Sequence, residues 1–211
     1  MIKLHQVRKC IITLAMFTLI SFSLSTIGLG FEDHPQSRII GNPLEVSNIS
    51  IQHVLGHILW GMIAGLLSLR LNYVFLCGGF AILLDADHLL QFLDLEMIAR
   101  MGHSIPFAIL VGFIMLAISK FRDYRLAVIS FAAVISHIAF DIWLGQQVGW
   151  DGSEFPLFSP FLVDMIPLSG YSWLFLEIFA FGIVGIIVFM SRKFGKIENN
   201  STQVKKFKNT F

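Results

Sequence analysis

Charge is what this chain has least of. Only 14% of its 211 residues are Asp, Glu, Lys or Arg, where a soluble globular domain carries about 25%. The net charge of +1 gives no basic field, so no nucleic-acid partner is expected. The chain has two cysteines, Cys10 and Cys77. Both lie in or beside apolar runs and read as buried thiols rather than a disulfide pair. There is no internal repeat, and the only biased stretch is the polar, Lys-rich tail after Met190.

What fills the space is apolar. Hydrophobic residues make up 55% of the chain, and the mean hydropathy is +0.75. About 20 apolar residues cross a bilayer core as a helix. The first run, residues 10–29, follows Lys3, Arg8 and Lys9 and ends in small residues at Gly28 and Gly30. It reads equally as a spanning helix or a signal peptide within residues 1–30. Residues 31–50 form an outer loop, mildly acidic and broken by Pro35, Gly41 and Pro43. Asn48-Ile49-Ser50 has the form of a glycosylation acceptor. Further apolar segments cover residues 51–69, 73–93, 105–119, 126–144 and 172–190. The expected fold is all-α: a polytopic membrane protein of five or six transmembrane helices in one bundle. Residues 51–190 form the helical membrane domain, and 191–211 a basic cytoplasmic tail.

The loops set an orientation. With the N-terminus inside, all but Arg38 and Arg100 of the fifteen Lys and Arg residues fall on the inner side. That asymmetry predicts cytoplasmic termini in the plasma or inner membrane.

Ionisable groups then gather at one level. The run Ile82-Leu83-Leu84 ends in Asp85-Ala86-Asp87-His88, and carboxylates in hydrocarbon need partners. In the assigned topology, His53, His57, Asp85, Asp87, His88, His103, His137 and Asp141 all approach the outer face. The topology came from Lys and Arg alone, so this convergence is independent of it. His53 and His57, like His137 and Asp141, are spaced i, i+4 and share a helix face; Asp85 and His88 are spaced i, i+3. Imidazole and carboxylate together suit a divalent metal. The candidate ligands are His57, Asp85, Asp87, His88, His103, His137 and Asp141. His53 and Glu177 are possible additions, each with a plainer reading as an interhelical partner. His34, Asp94 and Glu96 read as loop residues, and Ser104 as a helix cap.

In this order, these residues resemble the YdjM-like family of membrane-bound, metal-dependent hydrolases, also described as LexA-binding and inner-membrane-associated. The matching elements are Gly56-His57-Ile58-Leu59, Leu84-Asp85-Ala86-Asp87-His88, His103-Ser104, Ser136-His137 with Asp141, and Phe155-Pro156-Leu157-Phe158-Ser159-Pro160-Phe161. They cover residues 53–162. The resemblance implies a helical membrane protein with a metal centre, distantly similar to zinc-dependent phospholipase C. Family members often carry a His-Arg pair shortly before the His-Ser element. Here those places hold Ile98 and Ala99, with Arg100 one position later. No residue here carries the LexA-binding part of the family's name.

The functional expectation is metal-assisted hydrolysis at the outer membrane face, acting on a lipid or lipid-linked phosphoester. Zinc is the leading metal, though manganese, iron or magnesium would tolerate this carboxylate share. Asp85 is the expected proton acceptor, and Arg100 would neutralise a phosphate. A loop carrying Trp150, Asp151, Phe155 and Phe158 would cover the site. The competing expectations are an ion or metal transporter and a non-catalytic module with a structural metal or polar network.

Overall fold

The computed structural model describes residues 4–28, 50–93, 101–147, 153–162 and 164–208. They are mostly helical: α1 (Leu4–Gly28), α2 (Ile51–Gly65), α3 (Leu71–Leu83), α4 (Ile105–Ile118), α5 (Tyr124–Gln147) and α6 (Ser172–Lys208). Short 3-10 stretches follow α2 (Leu66–Ser68) and α3 (Leu84–Leu93) and precede α4 (Met101–His103). A two-stranded antiparallel ribbon, β1 (Ser153–Phe155) with β2 (Ile166–Leu168), lies between α5 and α6.

Local chemistry sets the helix starts. The Ser50 hydroxyl accepts the His53 N–H at 3.2 Å and opens α2. Ser104 does the same for Phe107 at 3.2 Å, with Pro106 in the first turn of α4. Asp123 accepts the Leu126 N–H at 3.0 Å and so opens α5 two residues before the apolar run. Each side-chain oxygen satisfies an amide that the helix leaves without a partner.

Among the described residues, four helical stretches are long and apolar enough to cross a membrane: Val7–Leu24, Ile51–Ser68, Tyr124–Gln147 and Ser172–Lys193. α3 and α4 are apolar but shorter, at 13 and 14 residues. At 1.5 Å per residue such helices reach only roughly 20 Å, against a hydrocarbon core of about 30 Å. The run expected as one helix over 73–93 changes type at Leu84 and continues as 3-10 turns. At the other end, α6 runs on through the polar tail to Lys208, a stretch without proline to stop it. Cys10 and Cys77 are free thiols, Cys77 fully buried and Cys10 partly so.

α5 is the axis of the bundle. It is 78% buried, against 11% to 33% for the other three long stretches, and it packs against α2, α3, α4 and α6. α1 docks on α3, where the rings of Phe17 and Phe80 stack with centroids 4.3 Å apart. The outward faces are apolar: Leu55 and Leu59 on α2, Ile109 and Phe113 on α4, and Phe175, Ile178 and Phe189 on α6 are all exposed. Water disfavours so continuous an apolar exterior, and lipid accepts it.

α2 and α3 approach closely because glycine faces their seam. A Cβ at Gly61 would lie 2.7 Å from the Ala81 Cβ and 2.8 Å from the Cys77 carbonyl oxygen. One at Gly78 would lie 2.6 Å from the Ile58 carbonyl oxygen. Small residues let helices pack in this way where lipid removes the hydrophobic incentive. Gly182 on α6 has nothing within 4 Å of the corresponding position. Gly61→Val is therefore expected to lower stability by about 1–3 kcal/mol through overpacking, whereas Gly182→Ala should not lower it. Thermal unfolding of the two variants in detergent, beside the wild type, checks the contrast.

Candidate metal centre

Helices alternate in direction through the bundle, so the starts of α2 and α4 and the last turns of α3 and α5 share one end. Five histidines and two aspartates meet there. α2 offers His53 and His57 from one face. The 3-10 stretch after α3 offers Asp85 and His88. With three residues per turn, i and i+3 eclipse, and His88 Nε2 lies 3.3 Å from Asp85 Oδ1. The turn Met101–His103 offers His103. α5 offers His137 and Asp141, 3.3 Å apart between Nε2 and Oδ2. All five imidazoles are buried, and the side chains of Asp85 and Asp141 are only 8% and 10% exposed.

The donor atoms point at one another. His53 Nε2 and His57 Nε2 are 2.9 Å apart, and His103 Nε2 and His137 Nε2 are 2.8 Å apart. Asp85 Oδ2 lies 3.1 Å from His53 Nε2 and 3.4 Å from His57 Nε2. Three overlapping sets have their ligand atoms within 4.8 Å of one another: His53, His57 and Asp85; His57, His137 and Asp141; and Asp85, His103 and His137. A divalent ion bound to nitrogen at roughly 2.0–2.1 Å separates adjacent ligands by about 2.9 Å in an octahedron and about 3.4 Å in a tetrahedron. The observed separations fall in and around that range. A network of direct hydrogen bonds accounts for the cluster less well. Asp85 Oδ1 is buried and makes no hydrogen bond among the described residues, although three imidazole nitrogens lie 3.3 to 3.9 Å away.

The surroundings orient the ligands. His137 Nδ1 lies 2.8 Å from the Ala81 carbonyl oxygen. A carbonyl only accepts, so Nδ1 carries the proton, and the neutral ring would present its Nε2 lone pair to the cluster. Phe140 packs edge-on against His57 with centroids 4.7 Å apart, and also borders His53 and Trp60. It sits over Gly56, where an added Cβ would run into its ring. An aromatic wall of this kind lowers the local polarity and so strengthens the charge interactions beside it.

The structure thus brings together His53, His57, Asp85, His88, His103, His137 and Asp141. Glu177 is buried on α6 beside Ser136 of α5, outside the converging sets. Phe155 reaches the centre, its ring centroid 6.4 Å from that of His103. Its strand is tied down nearby, since the Leu157 carbonyl accepts the Ile105 N–H at 2.9 Å. Phe158 is exposed. The Asp87 side chain, Arg100, Trp150 and Asp151 lie outside the described residues. Sequence reasoning missed Phe140 and the Ala81 carbonyl. Phe140 had a signal, being three residues after His137 and next to Asp141. A backbone acceptor 56 positions away from its histidine had none.

If this centre holds metal, protein purified in detergent carries divalent ions by mass spectrometry. His57→Ala and His137→Ala should each lower that content severalfold at least, while Glu177→Gln should leave it unchanged.

No family model, curated protein or solved structure matches the chain, so the chemistry of this centre is argued from its own geometry.

Proposed function

We propose that this protein is a membrane-embedded, metal-dependent hydrolase whose His/Asp centre opens toward the outer face and acts on a lipid or lipid-linked phosphoester. The observation that carries the reading is the convergence of seven metal-ligating side chains at one end of an otherwise apolar bundle. The apolar exterior supports insertion in a bilayer, and the Lys and Arg distribution supports the orientation. The resemblance to YdjM-like membrane hydrolases is part of the same proposal. Its support is that His57, Asp85, His88, His103, His137 and Asp141, which the resemblance singles out, lie together. Zinc is our first choice because the donors mix imidazole and carboxylate.

When bound, the metal supplies Lewis acidity toward a phosphoryl oxygen and toward water. The chain does the rest. The Ala81 carbonyl holds the tautomer of His137, and Phe140 and Phe155 limit bulk water at the reacting atoms. In the reaction, a water oxygen bonds to phosphorus and the ester P–O bond breaks. One proton of that water is transferred to the departing alkoxide, which leaves as the alcohol, and the other stays on the phosphoryl product. A transport pathway would need polar groups strung along the bilayer's depth, whereas this cluster sits at one end.

The test is turnover of phospholipids, lipid phosphates and a chromogenic phosphodiester by detergent-purified protein loaded with zinc or manganese. Asp141→Asn is expected to lower turnover at least 100-fold, and a chelator to abolish it until metal is restored. Turnover that survives both treatments would sink the hydrolase assignment.

A further inference from the structure

Both carboxylates divide their oxygens between the same two groups of histidines. Asp85 turns Oδ2 to His53 and His57, at 3.1 and 3.4 Å. It turns Oδ1 to His88, His103 and His137, at 3.3, 3.9 and 3.4 Å. Asp141 repeats the division, with Oδ1 3.3 Å from His57 and Oδ2 3.5 and 3.3 Å from His103 and His137. The two close nitrogen pairs respect it as well: His53 pairs with His57, and His103 with His137. A centre for one ion would gather one oxygen of each carboxylate around a common point. Two carboxylates that each span the same pair of imidazole groups describe two points.

We infer that the centre holds two divalent ions, one between His53 and His57 and the other among His88, His103 and His137, bridged by the carboxylates of Asp85 and Asp141. This rests on the metal-centre reading above and deepens it. Bridged pairs of this kind lie about 3.5–4 Å apart and suit displacement at phosphorus, because they clamp both the attacking and the leaving oxygen. The charge balance points to the same substrate class. Two dications facing two carboxylates and neutral imidazoles keep a positive excess among the described ligands, which an anionic phosphoester offsets and a neutral carboxylic ester does not. The backbone supports the geometry. The 3-10 turn that eclipses Asp85 and His88 places the carboxylate between the groups and adds His88 to the second one.

The test is metal stoichiometry and magnetic coupling in the full-length protein, stripped and then saturated with manganese(II). About two ions per chain are expected, as in other bridged two-metal centres, with the electron paramagnetic resonance spectrum of a coupled pair. His53→Gln removes a ligand from the first group alone and His88→Gln from the second alone. Each should halve the manganese content and bring out the simple hyperfine pattern of an isolated ion. One ion per chain in the saturated wild type, with that isolated pattern, overturns the inference; this measurement does not depend on either variant folding. Two coupled ions without phosphoester turnover would uphold the pair and reject the hydrolase reading. One ion with turnover would do the reverse. No bound manganese would remove both the pair and the centre itself.

Discussion

Two buried carboxylates that share the same imidazoles are the constraint from which the rest of this structure follows. An aspartate in the middle of a hydrocarbon-facing helix costs at least roughly 2.5–3.5 kcal/mol to insert. Two of them close together also repel each other unless positive charge stands between them. Among the described residues, the partners that the molecule supplies are not lysine or arginine but a histidine cage that could hold a cation. It collects histidines from four separate pieces of chain and turns their Nε2 atoms inward. It then closes the surroundings with an aromatic ring seated on a glycine. Ser50 and Asp123 act one step further out, since each fixes the start of a helix and so the rotation of the ligands it carries, while Ser104 caps α4 directly after His103.

α5 is the element that makes this workable. Because it is enclosed by four other helices, His137 and Asp141 are presented inside the bundle without leaving regular structure. The peripheral contributions needed adjustment: α2 gives its first turns, and the chain after α3 tightens into 3-10 geometry where its acids begin. The ribbon formed by β1 and β2 then brings Phe155 over the same end. The site is therefore assembled where helices start and stop, the places in a bundle where backbone direction can still be chosen.

Much of this could be read from the sequence, and the limits have physical causes. Apolar runs locate the helices because hydrophobicity is a property of windows of residues, and the i, i+4 spacing of His53 with His57 and of His137 with Asp141 survives into the fold because helix period is local. Ser104 could be read as a cap for the same reason. The switch at Leu84 could not, because Asp85-Ala86-Asp87-His88 satisfies the spacing of either helix type, and the choice is made by what the side chains meet. Nor could the hold of Ala81 on His137, since every residue has a carbonyl. The ribbon was hidden in a stretch rich in glycine, proline and aromatics, whose short strands carry too few residues for alternation to show.

Cross-linking is the last consequence of the centre. The chain has no disulfide among its described residues, yet its candidate ligands run from His53 to Asp141 and would tie together segments that are remote in sequence. A bound ion pair would restrict the unfolded chain much as covalent bridges do, with the difference that the bridge can be withdrawn. The far part of the α2–α3 seam would stay packed, because the close backbone approach at Gly61, Gly65 and Gly78 does not depend on any ion. With metal bound, such a molecule would behave like a clothes peg: a permanent fulcrum deep in the bundle, and jaws at one surface whose grip would depend on the ion.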